Sequence, residues 1–196
     1  MSIHVSDIVG CGLRSWYRVH EKIKEPESES SMFNFFMGHL IHEEIILSEE
    51  NELYMQGNIE SMEVDCTDSN ERLVGSMDNI IEIDGEKVIC DTKTCFRLPK
   101  EDELPEGYRK QLNLYKLLYY IETGIEVKKG AILWLEKMTS LKNHKANVIE
   151  LDELVDIRKM ALDRMRNITG DKAPEPETHK WCKYCPYYKT DKCDAF

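Results

Sequence analysis

The chain has 196 residues, of which 41% are hydrophobic and 32% are charged, a composition typical of one globular domain with its own core. Its formal net charge of −11 argues against a uniformly basic nucleic-acid-binding surface. No run approaches the roughly 20 apolar residues that a membrane-spanning helix needs, so we expect no membrane partner.

Charge is unevenly distributed along the chain. Residues 1–105 carry 9 Lys and Arg against 23 Asp and Glu, a net of −14, whereas residues 106–196 carry 17 against 14, a net of +3. The C-terminal half is therefore able to face a polyanion while the N-terminal half points away. The alternative is an ordinary acidic surface with no role in nucleic-acid binding, and charge alone favours it.

The N-terminal part is predicted to be helical. Ser6 is positioned to cap a helix that runs to about Glu21, and an acidic loop over 24–31 separates it from a long helix between Met32 and about Tyr54. The opening residues lack the basic and apolar segments of a secretion signal. Together with seven cysteines, an odd number, this favours a cytoplasmic protein with reduced thiols.

The remaining elements alternate between strands and helices. Strands are predicted over 59–66, 72–83, 86–94, 129–137 and 145–151, with a hairpin turn at Asp84-Gly85. Helices are predicted over 107–123, ended by Gly124, and from a cap at Asp152 or a neighbour to about Ile168, followed by a linker over 173–177. This order predicts an α/β fold with a mixed sheet, in which the helix over 107–123 permits a crossover connection.

Four cysteines lie at the two ends of the chain. Cys182, Cys185 and Cys193 form a C-x2-C-x7-C pattern, and Cys11 is the candidate for a fourth ligand. Four thiolates suit either an iron–sulfur cluster or zinc, and the spacing alone does not separate the two. Either would join the first helix to the tail. The remaining cysteines are predicted to be reduced and without a cluster role: Cys66, Cys90 and Cys95.

A second candidate site is made of carboxylates. Strand alternation places Asp91 and Lys93 on one face and Thr92 on the other. The Asp84-Gly85 turn sets a register in which Asp78 falls opposite Asp91, and two facing carboxylates repel each other. Mg²⁺ or Mn²⁺ would offset that repulsion, since hard cations choose oxygen ligands. The alternative is two carboxylates that are solvated on an exposed face.

Further polar side chains are candidates for the same site. His42 lies within the long helix, with His39 as its local competitor, although a lone helical histidine is more often structural or exposed than a ligand. Gln111 and Tyr115 are four residues apart, so they share one helix face. Their alternative interpretation is a polar edge beside a core aromatic.

Four short motifs in this order resemble the RecB-like branch of the PD-(D/E)XK nucleases. The motifs are Gly38…His42, Gly75…Asp78, Asp91-Thr92-Lys93 and Gln111…Tyr115. One cysteine near the start and three near the end resemble the members of that branch with a [4Fe–4S] cluster. The closest likeness is to the small CRISPR-associated exonuclease family numbered four, and it extends over nearly the whole chain.

The resemblance implies a fold and a domain organisation. It implies a restriction-endonuclease-like mixed central sheet flanked by helices, with an Fe–S clasp joining the N-terminal helix and the C-terminal tail. Residues 1–196 would form a single nuclease domain, with a nuclease core over 32–168. Residues 1–23 and 173–196 would together form the cluster-binding region. The resemblance favours iron–sulfur over zinc.

The resemblance also implies an activity. The protein would be a Mg²⁺- or Mn²⁺-dependent deoxyribonuclease acting on single-stranded DNA or DNA ends, in CRISPR adaptation, an antiviral defence, or in DNA recombination and repair. A CRISPR integrase or a recombination protein would be its partner. The implied metal ligands are His42, Asp78, Asp91 and the Thr92 carbonyl. Lys93 would orient or deprotonate the attacking water, and Gln111 and Tyr115 would position the substrate strand or the lysine.

Two functions from other classes stay open. One is a non-catalytic DNA-end-binding or protein-binding module of the same fold, which the acidic net charge allows. The other is a cytosolic zinc protein with no nuclease role.

Overall fold

The structure, a computed structural model, describes the N-terminal segment, the strands, the helices between them and most of the tail. The described residues are 2–21, 59–65 (backbone only), 72–100, 104–137, 144–178, 182 and 185–193. The predicted loop over 24–31 and the predicted long helix with Gly38, His39 and His42 lie outside the described residues, as does Cys66.

The described elements follow the predicted alternation of helices and strands. The strands are β1 (Ser2–His4), β2 (Ile59–Asp65), β3 (Arg72–Met77), β4 (Asn79–Ile83), β5 (Glu86–Cys95), β6 (Lys129–Glu136) and β7 (His144–Glu150). The helices are α1 (Val5–Val9), α2 (Gly12–Glu21), α3 (Glu106–Thr123) and α4 (Leu154–Thr169). No helix among these is long and apolar enough to cross a membrane.

The strands form two sheets that share one stretch of chain. The order of the first is β1-β3-β2, with β1 parallel and β2 antiparallel to β3. The order of the second is β4-β5-β6-β7, with only β5 and β6 parallel. Asp78 alone separates β3 from β4. The prediction of a mixed sheet flanked by helices is confirmed.

Three local predictions need correction. The strand predicted over 72–83 is interrupted at Asp78, because the side chain of Asp78 accepts a hydrogen bond from the Thr92 N–H. The helix predicted from Ser6 to Glu21 is two helices, since Gly10 has an extended backbone with ψ −171°. Ser6 is not its cap: α1 begins after His4, whose N–H donates to Asp7 Oδ2 at 2.8 Å.

The predicted hairpin turn at Asp84-Gly85 and the predicted helix end at Gly124 are confirmed. Asp84 and Gly85 have φ of 53° and 79°, the positive values that a two-residue hairpin between β4 and β5 requires. Gly124 follows α3 with φ 71°, the left-handed conformation that commonly ends a helix. The residue that precedes α4 is Glu153, a neighbour of Asp152, and it makes no side-chain capping hydrogen bond.

Helix α3 crosses over the second sheet between the parallel strands β5 and β6, and the main core lies beneath it. That core includes Ile3, Ile8, Leu73, Ile80, Ile89, Leu112, Leu114, Leu118 and Ile132. A smaller buried cluster occupies the opposite face of the sheet and consists of Ile81, Val88, Cys90, Ala131, Leu133 and Leu135. Because side chains alternate along β5, Asp91 shares the face of Ile89, toward α3.

The N-terminal helices contact α4 and the tail. Trp16 Nε1 donates to the Gly170 carbonyl at 2.7 Å, and the Tyr17 hydroxyl donates to the Lys192 carbonyl at 3.1 Å. Arg164 donates to the Gly10 carbonyl at 2.8 Å and pairs with Glu177. The two ends of the chain are therefore held together by hydrogen bonds from several side chains.

Candidate active site

The site is built around Asp91, in the middle of β5. Asp91 is 2% exposed, and its Oδ2 lies 2.6 Å from Lys93 Nζ. The predicted shared face of these two residues is confirmed by this contact. Lys93 is 27% exposed at its side chain, so its ammonium group reaches solvent while the carboxylate behind it does not.

Asp78 approaches the same strand from the neighbouring one. Its Oδ2 accepts the Thr92 N–H at 2.8 Å, in place of a ladder bond from β4. The β4–β5 ladder pairs Asn79 with Cys90, which is the register that the turn predicted, and it ends one residue before Asp78 and Asp91. The chain thus brings the carboxylate of Asp78, between β3 and β4, close enough to Asp91 for its charge to act on that buried carboxyl group.

Helix α3 supplies the third side of the site. Gln111 Nε2 donates to Asp91 Oδ1 at 3.2 Å and to the Tyr115 hydroxyl at 2.8 Å. The shared face that the i, i+4 spacing predicted is therefore present, and it faces β5. One amide joins the helix, the tyrosine and the buried carboxylate, which holds that carboxylate in one orientation.

Burial and neighbouring charges alter the acidity of this cluster. Burial raises the pKa of Asp91 to about 6, Lys93 opposes that shift, and the charge of Asp78 adds to it. Burial also raises the pKa of Tyr115, with a further contribution from the Asp91 carboxylate. The phenol therefore stays protonated at neutral pH.

Gly75 leaves the space that Tyr115 occupies. A Cβ at this position would lie 2.6 Å from Val5 Cγ2, 3.0 Å from Leu118 Cδ1 and 3.2 Å from Tyr115 Cε1. The first distance is shorter than a Cβ contact allows, and the other two would require Leu118 and Tyr115 to shift. Glycine at position 75, three residues before Asp78, therefore lets α3 pack closely against β3.

The sequence matches the profile of the PD-(D/E)XK nuclease superfamily over residues 44–190, well over half of the chain. The chain belongs to the PD-(D/E)XK nuclease superfamily. The nucleases of this superfamily are metal-dependent hydrolases, and the mixed α/β architecture is consistent with a restriction-endonuclease-like fold. No curated protein sequence gives a significant match.

A solved structure shares this fold. The crystal structure of SSO0001 aligns with a TM-score of 0.62 at 19% identity, covering 95% of this chain and 83% of that one. An alkaline exonuclease (LHK-Exo) from Laribacter hongkongensis aligns with a TM-score of 0.48 at 9% identity, covering 85% of this chain and 87% of that one.

The donor atoms of this candidate site fit a hard divalent cation. Asp91 Oδ2 is buried and accepts no hydrogen bond, although it forms the ion pair with Lys93, and Asp78 brings a second carboxylate beside it. Oxygen-rich donor sets of this kind suit Mg²⁺ or Mn²⁺. Within the described ranges, no three His, Cys, Asp or Glu side chains are grouped so that they could hold a metal ion. His42, the predicted additional ligand, lies outside those ranges.

The four predicted cluster ligands are all among the described residues. Cys182 is buried, and its carbonyl accepts the Cys185 N–H at 2.8 Å. Cys193 pairs with Thr190 in an isolated bridge, and Cys11 lies in the break between α1 and α2. These thiols do not form a group of three or more in the part of the chain that the structure describes, so the iron–sulfur cluster stays a prediction.

Two of the cysteines without a predicted cluster role are described. Cys90 and Cys95 are free thiols. Burial raises the pKa of Cys90 to about 12, with further contributions from the Asp91 and Asp78 charges. Burial also raises the pKa of Cys95. Both thiols are therefore poor nucleophiles and poor metal ligands at neutral pH.

Sequence analysis missed an aromatic support beneath Lys93. The Lys93 ammonium lies 5.7 Å from the centroid of the Tyr108 ring, within the range of a cation–π contact. Tyr108 packs edge-on against Trp134, with centroids 5.4 Å apart, and Trp134 Nε1 donates to Asn147 Oδ1 at 2.8 Å. The signal was available, since Tyr108 precedes Gln111 by three residues on one helix face.

Proposed function

We propose that this protein is a Mg²⁺- or Mn²⁺-dependent deoxyribonuclease that hydrolyses phosphodiester bonds in single-stranded DNA or at DNA ends. The observation that carries the proposal is the contact network of Asp91 and Lys93 on β5 with Gln111 on α3. It lies inside the region that matches a nuclease superfamily.

Asp78 and Asp91 would hold the divalent cation, with His42 and the Thr92 carbonyl as further ligands. When bound, the cation polarises the scissile phosphodiester and lowers the pKa of water. Gln111 keeps the Asp91 carboxylate turned toward the site through its hydrogen bond of 3.2 Å to Oδ1. Its second hydrogen bond, to Tyr115, fixes the amide itself.

Lys93 would act on the attacking water. Its ammonium group is held by Asp91 from one side and by the Tyr108 ring from another, so little reorganisation is needed when substrate arrives. From this position Lys93 orients the water, assists its deprotonation and offsets the negative charge that develops on the phosphoryl oxygens. Its partial exposure allows a phosphate to reach it from solvent.

Replacement of Asp91 by alanine tests the catalytic assignment. Asp91→Ala should fold yet lose metal-dependent cleavage by about 10³-fold or more, measured on a labelled single-stranded oligonucleotide with Mn²⁺. Glu82→Ala removes an exposed carboxylate from the neighbouring strand β4 and serves as the matched control. Retained cleavage by Asp91→Ala would contradict the assignment. Tight binding of DNA ends by a wild-type protein that cleaves nothing would favour the non-catalytic binding module.

We propose further that Cys11, Cys182, Cys185 and Cys193 hold a [4Fe–4S] cluster with a structural role. Besides the resemblance, the contacts that join α2 and α4 to the tail support this, because they keep the two cysteine-bearing regions in one part of the molecule. Anaerobic purification followed by iron, sulfide and zinc analysis tests it. A colourless protein with stoichiometric zinc would replace the cluster with a zinc site.

The organisation and the biological setting follow from the same resemblance. Residues 1–196 would form one cytoplasmic domain, with a nuclease core over 32–168 and a cluster-binding region formed by 1–23 and 173–196. The nuclease would work in CRISPR adaptation or in DNA recombination and repair, with an integrase or a recombination protein as partner. Co-purification with an integrase encoded beside it would support the first pathway.

A further inference from the structure

Arg164 on α4 and Glu177 in the tail form a two-point ion pair. Nη1 and Nη2 of Arg164 donate to the two carboxylate oxygens of Glu177, the second of them at 2.6 Å. A planar fork of this kind fixes the relative orientation of the guanidinium and the carboxylate. The Arg164 side chain is 21% exposed, so most of the cation is shielded from water.

Cys11 lies in the break between two helices. Helix α1 ends at Val9, and α2 begins at Gly12. The Cys11 carbonyl accepts the Ser15 N–H at 3.1 Å, so Cys11 occupies the capping position before α2. The end of one helix and the start of the next leave backbone carbonyls and N–H groups without intrahelical partners. These groups need partners from elsewhere in the molecule or from water.

Arg164 and Glu177 supply such partners on both sides of the break. Arg164 donates to the Ile8 carbonyl at 3.3 Å and to the Gly10 carbonyl at 2.8 Å, at the end of α1. The Glu177 carboxylate accepts the Gly12 N–H, at the start of α2. One ion pair therefore fixes the backbone before and after the cysteine.

Glu177 also contacts the first of the tail cysteines. Its carbonyl lies 3.7 Å from Cys182 Sγ. Glu177 thus contacts the start of α2 through its carboxylate and Cys182 through its carbonyl. The charges agree with this placement, since Glu177 raises the pKa of Arg164 and the Cys11 thiolate adds to that shift. The two cysteine-bearing segments therefore meet at this ion pair.

The backbone of Gly12 approaches the same pair closely. A Cβ at this position would lie 3.3 Å from Arg164 Nη1 and 3.5 Å from Pro174 Cγ. Glycine at position 12 therefore leaves room for the guanidinium between α2 and the linker that leads to the tail.

A second ion pair on α4 offers a comparison. Arg166 and Asp163 lie 3.7 Å apart, and their side chains are 63% and 57% exposed. Exposed pairs of this kind contribute little to stability. Arg164 differs because it is mostly buried and donates to two further backbone carbonyls, so its contacts join three segments of the chain.

We propose that Arg164 and Glu177 are positioning residues of the four-cysteine region, which hold Cys11 beside Cys182. Arg164 would fix the break between α1 and α2, and Glu177 would join that break to the tail. Neither side chain would bind the cluster itself. The inference rests on the proposed role of the four cysteines as ligands of one group, and it names the residues that bring ligands from the two ends of the chain together.

Release of iron to a chelator tests the proposal on the full-length protein. Anaerobically purified protein is mixed with excess bathophenanthroline disulfonate, and the absorbance of the iron complex gives the release rate. Arg164→Gln should release iron about tenfold faster than wild type, because a group that orients metal ligands is lost. Arg164→Lys keeps the charge but loses the fork, so its release rate should lie between the two.

A double variant tests whether the two residues act as one unit. Glu177→Gln should also release iron faster than wild type. The double variant Arg164→Gln/Glu177→Gln should release iron little faster than Arg164→Gln alone, since residues that act through one contact have effects that do not add. Fully additive effects on the logarithm of the rate would contradict a joint role.

Two further α4 variants separate positioning from general stability. Arg166→Gln breaks the exposed pair with Asp163 and should release iron at the wild-type rate. Ile157→Val removes a methyl group from a side chain that is 2% exposed. It should lower the melting temperature and leave the release rate unchanged. Melting temperatures of all variants are measured in parallel.

Thiol cross-linking tests the placement of Cys11 in a wild-type protein that holds neither iron nor zinc. Dibromobimane becomes fluorescent when it joins two thiols, and peptide mapping identifies the partner of Cys11. Cys11 should be joined to a tail cysteine in the wild type and in Arg166→Gln. Arg164→Gln should lose most of this product, because the break that carries Cys11 would no longer be fixed.

Three results would overturn the proposal. They are iron release at the wild-type rate in Arg164→Gln, equal acceleration in Arg164→Gln and Ile157→Val, or no Cys11 cross-link to the tail in a metal-free wild type. An iron-containing wild type with unchanged release in Arg164→Gln rejects the positioning role and keeps the cluster. A metal-free wild type with a cross-link that depends on Arg164 keeps the positioning role and rejects the cluster.

Discussion

The carboxylate site and the cysteine region differ in what brings their residues together. In the first, strand register and helix spacing place Lys93 at 2.6 Å and Gln111 at 3.2 Å from the Asp91 carboxylate. In the second, the candidate ligands come from opposite ends of the chain. A few long-range hydrogen bonds hold those ends, such as that from Tyr17 to the Lys192 carbonyl. Local geometry therefore assembles the first region, whereas the second depends on packing between distant segments.

The largest expected effect concerns the cysteine region. Cys182→Ser should remove about four iron atoms per chain from anaerobically purified protein and lower its melting temperature, because it removes one of the four proposed ligands. Asp91→Ala should keep the full iron content. Equal iron in Cys182→Ser and wild type would contradict the proposed ligand set. Cys95→Ser serves as the control, since Cys95 belongs to neither region.

Asp91 should oppose folding when no cation is bound. Its pKa is raised in the folded state to about 6, so the folded protein binds a proton more tightly than the unfolded chain. The free energy of unfolding therefore falls as pH rises from about 4 through about 6 and then stays lower. Asp91→Asn does not titrate, and in EDTA it should be more stable than wild type by about 3 kcal/mol at pH 8.

Denaturant titration of both proteins between pH 4 and pH 8 measures this difference. The gain should shrink toward zero near pH 4, where the wild-type carboxyl group is neutral. A gain that is constant with pH would show that the charge of Asp91 is not its cause. Excess Mn²⁺ should reduce the gain at pH 8, because the cation favours the wild-type carboxylate.

Gly75→Ala tests whether the packing of α3 sets the carboxylate site. The new Cβ would lie 2.6 Å from Val5 Cγ2 and 3.2 Å from Tyr115 Cε1, so stability should fall by about 1–3 kcal/mol. Activity should fall as well, because Tyr115 and Gln111 would be displaced. Gly107→Ala is the control, since its Cβ would lie 3.5 Å from Val9 Cγ1, an ordinary contact. Equal stability losses in the two variants would reject the packing argument.

The smallest expected effect concerns the ring beneath Lys93. Tyr108→Leu should lower kcat about two- to fivefold through the lost cation–π contact, whereas Tyr108→Phe keeps the ring and should stay near wild type. Single-turnover cleavage rates measure the difference. The same loss in both variants would show that the hydroxyl group of Tyr108, rather than its ring, matters.

The parts of the fold that the sequence predicted are those set by short-range rules. The Asp84-Gly85 turn predicted the register of the β4–β5 ladder, and the i, i+4 spacing predicted the shared face of Gln111 and Tyr115. Strand β1 was missed, since it pairs with β3 about 70 residues later. The interruption at Asp78 was also missed, because it depends on one side chain replacing a ladder bond.

The same limit applies to the site. The pattern Asp-x-Lys is visible in the sequence, but the support of Lys93 by Tyr108 requires a contact between β5 and α3. The sequence shows that Tyr108 shares a helix face with Gln111, but contacts between distant segments leave no periodic signal, so the partner of that face is visible only in three dimensions.

The chain passes from one sheet to the other at Asp78, and that residue also carries a carboxylate of the site. Its hydrogen bond to the Thr92 N–H connects the point where the chain changes sheets to strand β5 of the second sheet. Any change in the angle between the sheets would therefore move one proposed metal ligand relative to the other. Substitutions far from the candidate site, for instance where β1 pairs with β3, would change the distance between the two carboxylates and with it the preference of the proposed metal site for the smaller Mg²⁺ or the larger Mn²⁺.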